Sequence, residues 1–297
     1  MLAKLLNEAV DAIPAAISAK LLTVIPRPVF DWKRNSCFRN FVNYAYKNSK
    51  FYKERFDILK IDPRKVTGPS DLKNFYTTAE DIVNHAEDML CSRPHMVFES
   101  SGTTGRNKRI YMSQEDFNHS GSLDTVGFAL WGIKPEDRVV NAFDFSIWIP
   151  GHLTQRGLEK SRLFTLAAGK ADPMEVYKRI PVYNINIIFG EPTWLIKLTE
   201  IAEEKGAYPL KLIVGGAENM PEAARPWMEK VWGGAKVRMV YTSVECGGVL
   251  GFEVESRCDG YHIDEGDYYI EIADPDKDGY GEVVFTTLGR SVMPLIR

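Results

Sequence analysis

The chain has 297 residues, of which 44% are hydrophobic and 26% are charged, a composition typical of globular proteins with a packed core. This length predicts one large domain or two closely associated ones, and the formal net charge of -3 leads us to expect no nucleic-acid partner. The four cysteines, at positions 37, 91, 246 and 258, are too sparse for a disulfide framework and favour a reducing, cytoplasmic location.

The first 26 residues, MLAKLLNEAVDAIPAAISAKLLTVIP, are apolar but interrupted by charged and polar residues. A signal peptide needs an unbroken apolar stretch and a membrane span needs a longer one, so we predict no transmembrane segment here. Leu2, Leu5, Leu6 and Val10 recur at helical spacing, which predicts an amphipathic helix packed on the body of the protein. A peripheral membrane anchor is the less favoured alternative.

Residues 35–60 carry a helical stripe of apolar side chains, formed by Phe38, Phe41, Val42 and Ala45. Basic and aromatic residues interleave with this stripe: Arg34, Arg39, Tyr44, Tyr46, Lys47, Lys50, Tyr52 and Lys53. Such interleaving also occurs on nucleic-acid-binding faces. We favour a packed aromatic side opposite a solvated basic side, because that arrangement is the more common source of the pattern.

Residues 96–113 are predicted to form two strands, MVFES and RIYMS, joined by the loop SGTTGRNK. Ser113 and Asp116 follow with the spacing of a helix N-cap and its acidic partner. The pattern therefore predicts a strand, a loop, a second strand and the start of a helix.

Between Ile185 and Ser243, the predicted strands INIIFG, KLIVGG and VRMVYTS alternate with two predicted helices. The first helix begins at Pro192 and ends near Gly206, and the second begins at Pro221. Their apolar stripes are Leu195, Leu198, Ile201 and Ala202 in the first, and Trp227, Met228 and Val231 in the second. This alternation predicts an α/β fold with a parallel sheet, in which ligands lie at the carboxyl ends of the strands. From Tyr261 onward the pattern changes to all-β, with DYYIEI and EVVFTT joined by the turn-rich DPDKDGYG.

The segment ESSGTTGRNK, residues 99–108, places four hydroxyl side chains and two glycines within six residues. Glycines let the backbone approach a ligand, hydroxyls donate to anionic oxygens, and Lys108 adds a positive charge, so the pattern suits a polyphosphate. It is not the P-loop of kinase-type nucleotidases, because only Thr103 and Thr104 separate Gly102 from Gly105. A plain hairpin loop rich in Ser, Thr and Gly is the alternative interpretation.

SSGTTGxxK resembles the phosphate-binding signature of the adenylate-forming superfamily, which includes acyl-CoA synthetases, luciferases and peptide-synthetase adenylation domains. Other stretches resemble the phenylacetate-CoA ligase branch in the same order: FVNYAYKNSKFYKERFD, DLKNFYTTAEDI, GGAENM, YTSVE, DGYHIDEGDYYIEIADP and GYGEVVFTTLGRSVMPLIR. The resemblance covers most of the chain. It implies the large N-terminal domain of such an enzyme, with parallel and mixed sheets flanked by helices and a β-rich segment near the C-terminus.

The resemblance implies three groups of nucleotide-binding residues. The β- and γ-phosphates would be held by Ser100, Ser101, Gly102, Thr103, Thr104, Gly105 and Lys108. The adenine pocket would be lined by Gly215, Gly216, Ala217 and Glu218, with Tyr241 stacked on the ring and Thr242 and Ser243 beside it. Glu245 would help to hold Mg²⁺, and we take Lys108, Thr104 and Glu245 as the catalytic residues. Two of these residues have an alternative structural interpretation: Tyr241 as a core aromatic side chain and Glu245 as a solvated acid.

The resemblance also implies a division of the chain. Residues 1–90 would form an N-terminal helical region, residues 91–260 the α/β nucleotide-binding core, and residues 261–297 an incomplete β-rich segment. The family continues past MPLIR into Tyr-Arg-Thr-Gly-Asp and a small C-terminal domain with a catalytic lysine. We therefore expect that domain to be absent and the chain to be truncated.

Two further stretches bear on the substrate and the chemistry. In NAFDFSIWIPGHL, the side chains Phe143, Phe145, Trp148 and His152 would line a pocket for an aryl or hydrophobic acid, with core packing as the alternative. Val244 stands where the family usually has a hydroxyl residue before the Glu, so a contact to the α-phosphate is in doubt. Ser243 cannot simply replace that hydroxyl, because neighbouring residues of a strand point to opposite faces.

A zinc site is a weaker hypothesis. Cys258 and His262 are four residues apart, and Cys246 lies upstream of them, but no Cys-x₂-Cys knuckle and no fourth ligand are identified. Buried free cysteines and a hydrogen-bonded histidine are the favoured interpretation.

The sequence therefore predicts ATP-dependent adenylation of a carboxylic acid, followed in the full-length enzyme by thioester formation with CoA, with ATP, Mg²⁺ and CoA as cofactors or co-substrates. One alternative keeps the adenylation chemistry but transfers AMP to a deazaflavin coenzyme or the acyl group to a protein. Another is a truncated nucleotide-binding protein without turnover. The histidines have no GxSxG partner, which argues against a Ser-His-Asp hydrolase. The oligomeric state is left open, a homodimer included.

Overall fold

The computed structural model describes residues 25–100, 106–254 and 260–297. The chain divides into two compact units. Among the described residues, the first unit comprises 25–100, 106–119 and 264–297, and the second comprises 120–254 and 260–263. The amphipathic helix predicted from Leu2 to Val10 lies outside the described residues, and the three-part division of the chain stays a prediction. In the part of the chain that the structure describes, no helix is both long and apolar enough to cross a bilayer.

The first unit combines helices from the N-terminal part of the chain with two small antiparallel sheets. Its elements are α1 (Arg27–Asn48), α2 (Lys50–Leu59), the 3₁₀ helices Pro63–Lys65 and Pro69–Leu72, α3 (Ala79–His85), β1 (Met96–Glu99), β2 (Arg109–Met112), the start of α4 (Gln114–Leu130), β10 (Tyr268–Ala273) and β11 (Glu282–Thr287).

The apolar stripe predicted for residues 35–60 is confirmed. The side chains buried along α1 are Phe38, Phe41, Val42 and Ala45. Ser49 ends this helix in an extended conformation, and its Oγ accepts a hydrogen bond from the Tyr52 backbone N–H at 3.3 Å, which caps the start of α2. One residue thus separates two helices and fixes the start of the second.

Several of the interleaved basic side chains form ion pairs inside the first unit. Arg34 pairs with Glu265 at 2.7 Å and stacks on the Tyr269 ring at 4.5 Å. Lys50 pairs with Asp88 and Lys53 with Asp57. Tyr52 is fully buried, and its hydroxyl donates to the Pro294 carbonyl at 2.9 Å. These contacts agree with the packed interpretation of the aromatic side chains.

The two strands and the helix start predicted for residues 96–116 are also confirmed. β1 and β2 pair as an antiparallel hairpin. At the start of α4, the Asp116 N–H donates to Ser113 Oγ at 2.9 Å and the Ser113 N–H donates to Asp116 Oδ2 at 3.2 Å, a reciprocal capping box. The Asp116 carboxylate also accepts from the backbone of Ser291 and Val292, so it fixes the C-terminal segment of this unit as well.

The β-rich pattern after Tyr261 corresponds mainly to a second hairpin. β10 and β11 pair as antiparallel strands from Tyr268↔Thr287 to Ala273↔Glu282, and the predicted turn sequence DPDKDGYG joins them. The Thr287 N–H then donates to the Leu295 carbonyl at 2.9 Å, so the chain folds back along β11 after residue 288.

The second unit is an α/β layer structure built on one mixed sheet. Its elements are the rest of α4, β3 (Arg138–Asn141), α5 (Ile149–Lys160), β4 (Phe164–Ala167), α6 (Pro173–Tyr183), β5 (Ile187–Gly190), α7 (Pro192–Lys205), β6 (Leu212–Gly215), α8 (Ala224–Val231), β7 (Lys236–Ser243), β8 (Gly248–Phe252) and β9 (His262–Ile263). Within the described residues the strand order is β4-β3-β5-β6-β7-β8-β9.

The predicted parallel sheet is confirmed and is larger than predicted. β5, β6 and β7 are parallel neighbours, as expected from their alternation with helices, and β3 and β4 extend the parallel part on the other side of β5. β8 and β9 add antiparallel strands at the opposite edge. The helix predicted from Pro192 to Gly206 is found as α7, whereas α8 begins at Ala224, three residues after Pro221.

The central strands β5 and β6 are buried on both faces, which explains their continuous apolar runs. Ile188 and Ile213 belong to one hydrophobic cluster, together with side chains of α6, α7 and α8. Ile187 and Leu212 belong to another, together with Phe128 of α4 and Leu158 of α5. Neighbouring residues of one strand therefore pack against different helices.

A carboxylic acid is buried between α4 and α5. Asp124 is 2% exposed, and its Oδ1 has no hydrogen-bond partner among the described residues. A Cβ built on Gly157 would lie 2.7 Å from the Asp124 Cβ, so the two helices approach closely at this point. Burial raises the pKa of Asp124 well above its usual value, because desolvation disfavours the charged form.

Asp124→Asn should therefore remove a pH dependence of stability. The folded protein keeps the Asp124 proton at a pH where the unfolded chain, with a pKa of about 4, has released it. As a result, the wild type loses stability relative to the variant as the pH rises above the unfolded-state pKa, by up to about 1.4 kcal/mol per pH unit, until the buried carboxyl itself ionises. Urea unfolding of both proteins at several pH values measures this difference, and Glu136→Gln, at an exposed carboxylate, is the control. A difference that is constant with pH would contradict the buried, protonated acid.

Candidate functional site

The predicted phosphate-binding loop is closed by a defined pair of residues in the first unit. Beyond the last strand pair, Glu99↔Arg109, the Ser100 N–H donates to the Lys108 carbonyl and the Lys108 N–H donates to Ser100 Oγ, both at 3.0 Å. These bonds fix the backbone at both ends of the loop. Ser101, Gly102, Thr103, Thr104 and Gly105 lie outside the described residues, so their roles stay predictions.

The second half of this loop is tied to neighbouring polar groups. Asn107 donates from Nδ2 to Glu99 Oε2 at 2.8 Å, and Arg106 donates to the Asn84 side-chain oxygen at 3.1 Å. Lys108 is partly buried, with its backbone committed to Ser100. The bonds that close the hairpin are thus made by the Lys108 backbone and not by its ammonium group.

The predicted adenine-binding turn follows β6 in the second unit. A Cβ added to Gly215 would lie 2.6 Å from the sulfur of Met239, and one added to Gly216 would lie 2.6 Å from Val240 Cγ2. The flexible Met239 side chain could shift to admit a Cβ at Gly215, whereas Val240 is β-branched and constrains Gly216 more strongly. Ala217 has φ of 67°, a left-handed conformation that costs a non-glycine residue about 1–2 kcal/mol. Such strain is concentrated at functional sites in proteins.

Glu218 has a structural contact in addition to its predicted role. Its Oε2 accepts hydrogen bonds from the backbone N–H and the hydroxyl of Thr193, at 3.2 and 2.7 Å. Thr193 lies in the first turn of α7, where a carboxylate is stabilised by unpaired backbone N–H groups and the helix dipole. This contact fixes the turn after β6 relative to α7.

Tyr241 lies at the end of β7 with 42% of its surface exposed. Its ring contacts the Tyr261 ring, with the centroids 5.6 Å apart and the planes inclined by 35°. Partial burial raises the pKa of its hydroxyl, and the neighbouring Cys246 and Glu245 add to the shift. Its stacking on the adenine ring stays a prediction.

The hydroxyls next to Tyr241 are used inside the β7–β8 turn. Thr242 Oγ1 donates to the Gly248 carbonyl at 2.8 Å, and Ser243 Oγ lies 3.1 Å from both the N–H and the sulfur of Cys246. Val244 begins the turn, and its carbonyl accepts a hydrogen bond from the Gly247 N–H. Gly247 has φ of 62°, a conformation that favours glycine. Glu245 is partly buried within this turn, at the carboxyl end of β7.

Little supports the zinc hypothesis. Cys246 is buried beside Ser243 and His262 is exposed, while Cys258 lies outside the described residues. Within the described ranges, no group of three or more His, Cys, Asp or Glu side chains is arranged to hold a metal ion.

Three of the predicted acid-pocket residues, Phe143, Phe145 and Trp148, lie in the loop between β3 and α5, and His152 lies in the first turn of α5. Phe143 is 2% exposed, and its Cζ would lie 3.4 Å from a Cβ on Gly216, which places this loop beside the turn after β6. Phe145 packs edge-on against the His152 ring, with the centroids 5.5 Å apart. Trp148 is partly exposed. Phe143 is thus mainly a packing residue, whereas Phe145 and Trp148 lie nearer the surface.

An ionic triad of Asp144, Lys170 and Glu191 lies beyond the carboxyl ends of the parallel strands. This triad was not predicted from the sequence. The Lys170 ammonium lies 2.9 Å from Glu191 Oε2 and 3.5 Å from Asp144 Oδ2. These residues follow β3, β4 and β5. A search for charged residues just after each predicted strand would have found Glu191, but β3 and β4 were not predicted.

The family model for AMP-binding enzymes matches residues 65–285, more than half of the chain. The chain belongs to this family. Among curated proteins, the chain is similar to the phenylacetate-coenzyme A ligases of Thermus thermophilus, with 25% identity over 93% of the chain, and of Escherichia coli, with 25% identity over 86%. The phenylacetate-coenzyme A ligase of Aromatoleum evansii is 27% identical over 86% of the chain.

The chain also shares its fold with solved structures. A 2-hydroxyisobutyryl-CoA ligase in its postadenylation state superposes with a TM-score of 0.81 over 92% of the chain at 20% identity. The match covers 62% of that ligase, and the chain spans 65%, 62% and 62% of the lengths of the three curated relatives. The mixed α/β architecture with flanking helices is thereby confirmed as that of the adenylate-forming enzymes.

Proposed function

We propose that this chain is the nucleotide-binding part of an enzyme that uses ATP to convert a carboxylic acid into an acyl-adenylate and then forms a thioester with CoA. The match to AMP-binding enzymes over residues 65–285 carries the proposal. The similarity to ligases that act on phenylacetate supports an acid–thiol ligase, with an aryl or hydrophobic acid as substrate.

The proposed chemistry needs positioning and charge neutralisation more than covalent catalysis. The acid's carboxylate must attack the α-phosphorus in line while pyrophosphate leaves. The proposal assigns the β- and γ-phosphates to residues 100–105 and Lys108, where hydroxyls and an ammonium stabilise the leaving charge. It assigns adenine to the turn at residues 215–218 and to the exposed face of Tyr241.

Glu245 is the proposed ligand for Mg²⁺. Magnesium in nucleotide sites uses one or two carboxylates together with phosphate oxygens and water, so a single carboxylate in the β7–β8 turn fits this requirement. The bound ion would neutralise phosphate charge.

Exchange of radiolabelled pyrophosphate into ATP tests the proposal. Exchange that requires a carboxylic acid, screened over aryl and aliphatic acids, is the expected result. Exchange driven only by a deazaflavin would instead support adenylyl transfer to that coenzyme, and thioester formation on a carrier protein rather than on CoA would support a protein acceptor.

A second candidate is a nucleotide-binding protein without turnover. It is favoured by Val244 at the usual hydroxyl position and by Ser243, whose hydroxyl is engaged with Cys246 inside the turn. Tight binding of AMP without exchange for any acid would support this function and contradict the ligase.

A further inference from the structure

The strand order of the second unit marks a point where a ligand crevice is expected. From β3 the chain passes to β4 on one side of β3, whereas β5 lies on the other side and leads on to β6. In open α/β sheets, connections that leave two neighbouring strands in opposite directions create a crevice outside the carboxyl ends of those strands. Here the two strands are β3 and β5.

The ionic triad lies at this point. Asp144 follows the end of β3 by three residues, Glu191 follows β5 directly, and Lys170 follows β4 by three residues. The Glu191 side chain is only 9% exposed, Asp144 is 21% exposed, and Lys170, which pairs with both, is 46% exposed. A largely buried carboxylate is therefore paired with a lysine that is about half exposed to solvent.

The pKa shifts of Lys170 and Asp144 both favour the charged forms. The hydrogen bond from Lys170 to Glu191 raises the pKa of the ammonium. Burial alone would raise the pKa of Asp144, but the Ser146 N–H at 2.7 Å and the Lys170 ammonium outweigh burial and hold that pKa below its usual value. Two carboxylates and one ammonium give the cluster a net charge of about -1.

This charge arrangement discriminates between kinds of ligand. An apolar group placed over the triad would desolvate three charges without offering a hydrogen bond, which is costly. An anionic group would meet two carboxylates against a single ammonium. A hydroxyl or amino group can donate to a carboxylate oxygen, because ionised carboxylates only accept hydrogen bonds. The Trp148 ring, 5.9 Å from the Lys170 ammonium, offers an apolar surface beside the charges.

We propose that Asp144, Lys170 and Glu191 recognise the end of the acid remote from its carboxylate, and that the preferred acid is aromatic with a hydroxyl or amino group at that end. This inference rests on the proposed acid–CoA ligase function and makes it more specific. Lys170 holds the two carboxylates in place in the absence of ligand, and the ligand's donor bonds to Asp144 or Glu191.

Acids that differ only in the remote substituent test the inference. Equilibrium binding of phenylacetate and its 4-methyl, 4-hydroxy, 4-amino and 4-carboxy derivatives is measured by calorimetry, alongside pyrophosphate exchange with each acid. The hydroxy and amino acids should bind at least about tenfold more tightly than the methyl acid, which corresponds to about 1.4 kcal/mol, and the carboxy acid should bind most weakly.

Isosteric variants separate recognition from a purely structural ion pair. Glu191→Gln and Asp144→Asn should each reduce the preference for the hydroxy acid over the methyl acid by about fivefold or more. Methyl-acid binding should not weaken, because a neutral amide costs less to desolvate than a carboxylate. Glu175→Gln removes the carboxylate that pairs with Lys178 and Arg179 on α6 and should change neither affinity. If Glu191→Gln does not fold, the more exposed Asp144→Asn provides the same comparison.

The outcomes distinguish the inference from the function on which it rests. Equal affinity for the methyl and hydroxy acids, or an equal loss for both in the variants, overturns the inference even if exchange occurs. Binding of the hydroxy acid that depends on Asp144 and Glu191, but without exchange, supports the inference and overturns the ligase. No binding of any acid overturns both.

Discussion

Replacing Lys108 with Ala should weaken the binding of ATP by about tenfold to a hundredfold and change the binding of AMP by no more than about twofold. A charge-assisted hydrogen bond to a phosphate is worth about 1.5–3 kcal/mol, and AMP lacks the β- and γ-phosphates assigned to this lysine. The fold should be retained, because Lys108 closes the hairpin through its backbone bonds to Ser100, which alanine also makes.

The measurement is calorimetric titration of ATP and AMP in the presence of Mg²⁺. Thr104→Ala, in the same loop, should give a smaller loss of the same kind. Lys277→Ala is the matched control, because Lys277 is an exposed lysine in the β10–β11 turn of the same unit. Equal loss of affinity for both nucleotides would contradict the assignment of this loop to the β- and γ-phosphates.

The elements that were predicted correctly have strong local signals. The stripe from Phe38 to Ala45 has helical spacing over two turns, and all four of its side chains are buried in α1. The α7 helix has a proline at its start and a glycine at its end, and Gly206 has φ of 96°, which other residues rarely adopt. Each signal is contained within the element that it defines.

The missed elements have weak local signals. β3 and β4 are four residues long, and their hydrogen bonds come from each other and from β5. β5 and β6 are equally short, but each has three consecutive apolar residues followed by glycine, which marks a buried strand. β3 has only two consecutive apolar residues and β4 is interrupted by Thr165, so the sheet specifies these two strands more than their own sequence does. Pro221 was wrongly placed at the start of α8, because residues 222 and 223 form a turn before the helix begins.

The candidate site divides in the same way. Gly215, Gly216 and Tyr241 were located at strand ends from the sequence, although the packing of both glycines against Met239 and Val240 was not foreseeable. The ionic triad could not be predicted in this way, because Asp144 and Glu191 are 47 positions apart in the chain. Only the strand order brings them together with Lys170.

Gly151→Ala should destabilise the protein by about 3 kcal/mol, the largest stability effect that we expect from a single methyl group. Gly151 lies in the first turn of α5, where it donates to the Asp144 carbonyl at 3.0 Å and accepts from Asn141 Nδ2 at 3.0 Å. A Cβ at this position would lie 2.2 Å from the Asp144 oxygen and 2.6 Å from its carbonyl carbon. Backbone atoms cannot rotate away as a flexible side chain can, so either α5 or the loop after β3 must move.

The free energy of unfolding in urea measures this cost, and Gly68→Ala is the control. Gly68 has an extended conformation with φ of -161°, and a Cβ there would meet nothing within 4 Å, so its stability should change by no more than about 0.5 kcal/mol. Because the displaced loop carries Asp144, Gly151→Ala should also weaken the binding of the 4-hydroxy acid more than it weakens the binding of AMP. A variant as stable as the wild type would show that the close contact between α5 and the loop after β3 is wrong, and with it the placement of Asp144 beside Lys170.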